Sequence, residues 1–370
     1  MILLHRKKLL FLLIALLTVI LGIFATYYLP DRFMFDAYTI ILDRYNEKGW
    51  LGSYPISMNL YHISGIGKLP FPVVALIQLP VLFYLIWRLG LPDFFHKLYL
   101  RNVIMWLALI MLAFFIAFAS KEFINFIYIY IICRVLISDR GVLKKIIWSS
   151  LLLMLFGAIF RPYYFLIPII SVGIYLINLV SIKNKIFSNI FYGLLIAIFI
   201  SLSYGLLKGQ YMSESSREEL NKVRIAKKNT NADTMIISPI KTDSFYGESI
   251  GIFYGFLTVN LPINGLQFIY KPQVVAFVIW QLSLVILLLY YYHKILKKKQ
   301  NRRVEQWIFH LLFAYFIVQG VFEPDLGSAI RHKIGILPLI WIAVYYDQGL
   351  IKKPLHKKKY VFKSPAKVKS

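Results

Sequence analysis

Uninterrupted apolar runs recur along this chain, at 9–28, 70–87, 103–118, 123–137, 146–160, 165–180, 187–207, 272–292, 307–321 and 335–346. About 20 apolar residues in helical conformation cross a hydrocarbon core of about 30 Å. A chain built this way is expected to be an all-α, polytopic membrane bundle. The ten-residue alternation of a membrane β-barrel is absent from the sequence. Hydrophobic residues make up 59% of the chain and charged residues 16%.

Charge then orients the expected bundle. The net charge of +25 could suggest nucleic acid as a partner, but its distribution argues otherwise. With ten spans, and with 249–268 read as a re-entrant or interfacial segment, both termini face the cytoplasm. Of the 17 acids, only Asp93, Asp139, Glu305 and Asp347 then fall on the inner side, together with most of the lysines and arginines. Excess Lys and Arg in cytoplasmic loops is what sets membrane topology. The basic balance therefore reads as topology, and nucleic acid is excluded as a partner.

In this layout residues 1–351 form one transmembrane domain, and 352–370 form a basic cytoplasmic tail. Two long outer loops cover 29–69 and 208–250. The basic leader Met1–Lys8 precedes the first run, and Tyr27-Tyr28-Leu29-Pro30 offers no small-residue cleavage site, so 9–28 reads as a span rather than a signal peptide. Ser215 or Ser216, followed three residues on by Glu218 or Glu219, predicts a capping box. Glu218 to Lys222 adds an i,i+4 pair on the same short outer helix. Cys133 is the single cysteine, which excludes an internal disulfide and cysteine-based metal clusters. The histidines show no metal-binding spacing, and the nucleotide-loop, zinc-protease and serine-hydrolase motifs are missing.

What chemistry remains gathers at the outer ends of the spans. Lys121 and Glu122 sit at one hairpin tip and Arg161 at the next. Asp31 and Asp36 lie just beyond the first span. Glu323, Asp325, Arg331, His332 and Lys333 precede the last. Snorkelling explains each cation separately, whereas one anionic ligand explains them together. Tyr45, Trp50, Tyr54 and Tyr61 could present faces to sugar rings or form an interfacial belt.

These tips carry a resemblance. The basic leader with its first span, D-R-F-x-F-D at 31–36, S-K-E at 120–122, F-R-P-Y at 160–163 and E-P-D-x-G-S-x-I-R-H at 323–332 resemble the O-antigen and capsule polymerase-like (Wzy-type) family. The broader group is the GT-C-like lipid-donor membrane glycosyltransferases. The resemblance implies an enzyme of the bacterial inner membrane that joins undecaprenyl-diphosphate-linked oligosaccharide repeats on the periplasmic face. It also implies a flippase and a chain-length regulator as neighbours. Family arginines that hold the diphosphate map onto Arg161 and Arg331, with Lys121 and Lys333 as further cations.

The chemistry of such a step fits these residue types. The diphosphate leaves as an anion and needs fixed positive charge, which the planar arginine fork supplies. The attacking hydroxyl needs a base: Glu323 is the first candidate, Asp36 the second, and His332 a further donor or base. Asp31, Glu122 and Asp325 complete the candidates. Neither a metal nor a cofactor is required. Two alternatives are a transferase that adds one sugar from a lipid-monophosphate donor, with Asp31 or Asp36 as base, and a lipid-linked glycan flippase or transporter.

Overall fold

The computed structural model describes residues 2–42, 49–179, 185–226, 234–297 and 303–351, and among these it contains helices and no strand. Tyr45 and the basic tail 352–370 lie outside the described residues. The first helices are α1 (Ile2–Tyr28), α2 (Asp31–Leu42), α3 (Ser53–Ile63), α4 (Phe71–Leu89) and α5 (Leu100–Phe115). Next come α6 (Lys121–Ile137), α7 (Val142–Ile159), α8 (Leu166–Leu179), α9 (Lys185–Lys208) and α10 (Glu219–Ala226). The last are α11 (Phe245–Asn260), α12 (Pro272–Lys297), α13 (Arg303–Phe322), α14 (Leu326–Gly335) and α15 (Leu337–Val344).

Six of these are long and apolar enough to cross a membrane: α1, α4, α7, α9, α12 and α13. The pair α14–α15, bent by 70°, is a seventh candidate. The chain is thus a helical membrane protein. The runs expected to span at 103–118, 123–137 and 165–180 form helices of 16, 17 and 14 residues, shorter than a straight crossing requires.

Burial explains the layering. Helix α13 is buried on all sides from Trp307 to Val321 and lies at the centre, packed on α8, α11, α9 and α12. Leucines and phenylalanines on the outer helices, such as Leu9, Leu16 and Phe199, face outward. That is the inverse of a water-soluble surface and suits contact with lipid.

The final expected span, 335–346, holds a helix too short to cross alone. α15 has only eight residues, and the bend at Gly335–Ile336 turns it away from α14. Two features explain the break. Pro338, in the first turn of α15, has no N–H to continue the ladder. Gly335 lies so close to α6 that a Cβ there would meet Glu122 Oε2 at 2.5 Å and Asn125 Nδ2 at 2.7 Å.

The segment 249–268 is more regular than its glycines suggest. Ser244 caps α11 by accepting from Gly247 N, and the helix continues unbroken through Gly251 and Gly255 to Asn260. Glycine is used here for close approach rather than for a break: a Cβ on Gly320 of α13 would meet the Phe256 backbone at 2.5 Å. At its end, Asn260 Nδ2 donates to Phe316 O (3.2 Å), and Gln281 Nε2 donates to Asn260 O (3.3 Å). The turn Ile263–Phe268 then lies beside the first turns of α12.

Both loops expected on the outer side contain helix. The loop at 29–69 forms α2 and α3, and the second loop forms a wide turn at Glu214–Glu218 that leads into α10. The expected capping box is not used. The hydroxyls of Ser215 and Ser216 instead donate back to Met212 O. Lys222 pairs with Glu219 at 3.9 Å, and Glu218 takes Arg217 instead. Far along the helices from the tips, Lys7 meets Asp93 (2.7 Å) and Arg101 meets Asp347 (3.1 Å), each pair joining segments assigned to the same side.

Candidate functional site

Helix ends bring the candidate residues together. Ser120 caps α6 by accepting from Phe123 N at 3.3 Å, which starts the helix at Lys121 and Glu122. α7 ends at Ile159, and Pro162 turns the chain so that Arg161 points back towards α6. Asp325 caps α14 by accepting from Ser328 N at 2.8 Å, so Arg331 and His332 fall within the helix that follows. α2 supplies Asp36.

The result is one network of alternating charge. Asp36 is held by Arg331 Nη1 at 2.9 Å and Lys121 Nζ at 3.5 Å, and it accepts from the Tyr54 hydroxyl at 2.8 Å. The Lys121 ammonium also lies over the Tyr54 ring, 3.6 Å from its centroid. Both carboxylate oxygens of Glu122 contact the Arg161 guanidinium, the Nη1–Oε2 contact measuring 3.3 Å. His332, next to Arg331 in α14, joins Glu122 to Glu323: Nε2 lies 3.3 Å from Glu122 Oε1, and Nδ1 lies 2.6 Å from Glu323 Oε1. Gln319 Nε2, one turn back along α13, donates to the same Glu323 oxygen at 3.1 Å.

An open pocket of ≈ 370 Å³ lies against this network, lined by Lys121, Arg161 and His332, with Tyr163, Phe160 and Ser53 among the other walls. Three cationic or basic side chains from three separate segments therefore share one wall. Glu122 and Glu323 stand behind them, 1% and 4% exposed.

Each sequence candidate can now be placed. Asp36, Lys121, Glu122, Arg161, Glu323, Arg331 and His332 belong to the network. Arg331 does not line the pocket and instead braces Asp36. Glu323, the first candidate base, lies behind His332. Lys333 is a correction: it is buried, donates to Val259 O at 3.0 Å and turns away from the pocket, because the next residue along a helix faces another side. Asp325 is used as a helix cap and as the partner of Arg224 at 2.8 Å. Asp31 is exposed in the first turn of α2, outside the cluster.

The expected surplus of cations awaiting an anion is also revised. Lys121, Arg161 and Arg331 each contact a carboxylate, since a charge removed from water is costly without a partner. Burial pushes the Asp36 carboxyl up, but Arg331, Lys121 and the Tyr54 hydroxyl outweigh it and hold it well below the usual carboxylate range. Burial brings Lys121 down to about 8, against the opposing pull of Asp36. Glu323 differs from Asp36 and Glu122, the other buried carboxylates of the network. Its Oε1 contacts are His332 and an amide, and its Oε2 is buried without a partner.

Sequence reasoning missed Gln319, although its i−4 spacing to Glu323 is a helical signal. It also missed the second role of Tyr54, which no spacing reveals. No family model, curated protein or solved structure matches the chain.

Proposed function

We propose that this chain is a membrane glycosyltransferase that joins lipid-diphosphate-linked oligosaccharide repeats at the outer face of a bacterial inner membrane. The observation that carries the proposal is the pocket wall of Lys121, Arg161 and His332, backed by a Glu323–His332 contact of 2.6 Å, where helix ends meet. The proposed topology has ten crossings, with the shorter helices α5, α6 and α8 and the bent α14–α15 pair completing them. α11 serves as a re-entrant helix, supported by its end lying level with Gln281 of α12. The proposed donor lipid is undecaprenyl diphosphate, and a flippase and a chain-length regulator are the proposed neighbours.

In this mechanism a hydroxyl of the acceptor sugar attacks the anomeric carbon of the donor. As that hydroxyl takes the place of Glu122 Oε1 at His332 Nε2, its proton passes to this nitrogen, while the bond from the anomeric carbon to the diphosphate oxygen breaks and its electron pair leaves with the diphosphate. Glu323 orients the imidazole through Nδ1, as a carboxylate does in a catalytic triad. Arg161 has N–H groups beyond those given to Glu122, and these, with the Lys121 ammonium, stabilise the departing anion.

The alternative that adds one sugar from a lipid monophosphate, with Asp31 or Asp36 as base, is disfavoured, since Asp31 lies outside the cluster. A carboxylate gripped by two cations and a phenol is a weak proton acceptor. A flippase or transporter would distribute its ionisable groups around a central cavity, whereas this cluster sits at helix ends.

The test is glycan chain length in cells. His332→Ala and Glu323→Gln should shift long chains to single repeats at unchanged protein level, and Lys297→Ala, far from the pocket, should leave the ladder intact. Full-length polymer from both site variants would refute the proposal.

A further inference from the structure

Among its described residues the second outer loop lines no part of the pocket, yet it grips the connection that carries Glu323. Arg217, Asn221 and Arg224 recur at four- and three-residue spacing, so they share one face of the winding. All three reach the end of α13 or the short link Glu323-Pro324-Asp325. Arg217 is fully buried, and its Nη1 donates to Gly320 O at 2.9 Å and to Gly251 O at 3.2 Å. Asn221 is 1% exposed, and its Nδ2 donates to Pro324 O (3.3 Å) and Ile236 O (3.1 Å). Arg224 Nη1 sits 2.8 Å from Asp325 Oδ2. The chain returning from the loop adds Ile236 N to Pro324 O at 2.8 Å and Leu326 N to Thr234 O at 3.3 Å.

These ties fall on both sides of one residue. Gly320 lies just before Glu323, and Pro324, Asp325 and Leu326 follow it directly. A tie serving only to hold the loop could land anywhere along α13. Concentrated here, the ties fix the backbone of the carboxylate that orients His332, and through the Asp325 cap they also fix the start of the helix carrying His332.

We propose that Arg217, Asn221 and Arg224 are positioning residues for the Glu323–His332 pair, so that the second outer loop governs turnover while leaving anion binding to the pocket wall. This rests on the transferase proposal above. A reacting group displaced by about 1 Å loses on the order of a hundredfold in rate without losing its binding partners. Loss of one ordinary hydrogen bond corresponds to a smaller, roughly fivefold, effect.

The experiment compares Asn221→Ala, Arg224→Ala and Arg224→Lys in the full-length protein, with His332→Ala and Arg161→Ala alongside. Cells report glycan chain length, and purified protein in detergent reports affinity for inorganic pyrophosphate. Arg224 is partly exposed, so its truncation leaves the core intact. Asn221→Ala and Arg224→Ala should lower polymer output roughly fivefold or more, with pyrophosphate affinity within about twofold of the unmodified protein, and Arg224→Lys should recover part of the output. Arg161→Ala should lose pyrophosphate affinity. Full-length glycan from Asn221→Ala and Arg224→Ala, with His332→Ala defective, overturns the positioning role and leaves the transferase proposal standing. Full-length glycan from His332→Ala as well overturns both. Loss of pyrophosphate affinity or membrane level in parallel with output would make the stripe a general brace and also overturn it.

Discussion

Replacing Arg161 by alanine does two things, and the structure allows them to be separated. Arg161 and Glu122 form a pair in which both side chains are almost completely buried, 5% and 1% exposed. Removing one member of a buried pair leaves an uncompensated charge and costs about 3–5 kcal/mol. Against a total stability of about 5–15 kcal/mol, Arg161→Ala should remain folded at low temperature but melt clearly earlier. Glycan chain length should collapse to single repeats. Loss of activity in that variant alone would not distinguish a ligand contact from a weakened fold. The double variant Arg161→Met/Glu122→Met separates the two effects, because replacing a whole buried pair by apolar side chains of similar volume is often neutral or stabilising. Its melting temperature in detergent should return to near the starting value, while pyrophosphate affinity and polymer length should stay lost. If the double variant regained stability and also made full-length polymer, Arg161 would be a structural ion-pair partner, and the anion-binding role would be refuted.

Lys121 gives a pH prediction. Because burial lowers its folded-state value to about 8 from the ordinary 10.5, the unfolded chain binds more protons between those values. Its contribution to stability therefore rises with pH across that window, while its charge at the pocket is lost. Pyrophosphate affinity should fall as pH rises through about 8, and Lys121→Arg should remove that limb; an unchanged alkaline limb in Lys121→Arg would assign it elsewhere. Asp36 has the same sign in a lower window. Its depressed value contributes stability at neutral pH that is lost as pH falls below the usual carboxylate range, so Asp36→Asn should reduce the acid sensitivity of the melting temperature. Topology can be read from reporter fusions: those within 208–248 should report the periplasm and those within 294–303 the cytoplasm, and a cytoplasmic signal from both would overturn the ten-crossing arrangement.

The sequence alone was enough to determine the solvent. Apolar runs near membrane length are local and additive properties, so they survive without tertiary information. The sequence also marked the tips as the place where charged residues gather, because a charged residue beside a long apolar run stands out one residue at a time. Geometry was a different matter. Arg161 and Glu122 are separated by 39 positions, and their partnership depends on how α6 and α7 pack. Lys333 and Arg331 look equivalent in sequence, yet the turn of α14 sends one to Val259 O and the other to Asp36.

The same limit hid the bend at Gly335 and the regular course of α11. A glycine in a sequence can mean a break or a close contact, and only the neighbouring surface distinguishes them: Glu122 in the first case, Phe256 facing Gly320 in the second. Pairing of the cations was likewise decided by packing. Sequence shows how many charges lie near the tips, whereas burial decides that each must find an opposite charge, and the fold decides which one. Glu323, left with His332, Gln319 and an unpartnered oxygen, acquires its distinct chemistry from that allocation and from nothing in its local sequence.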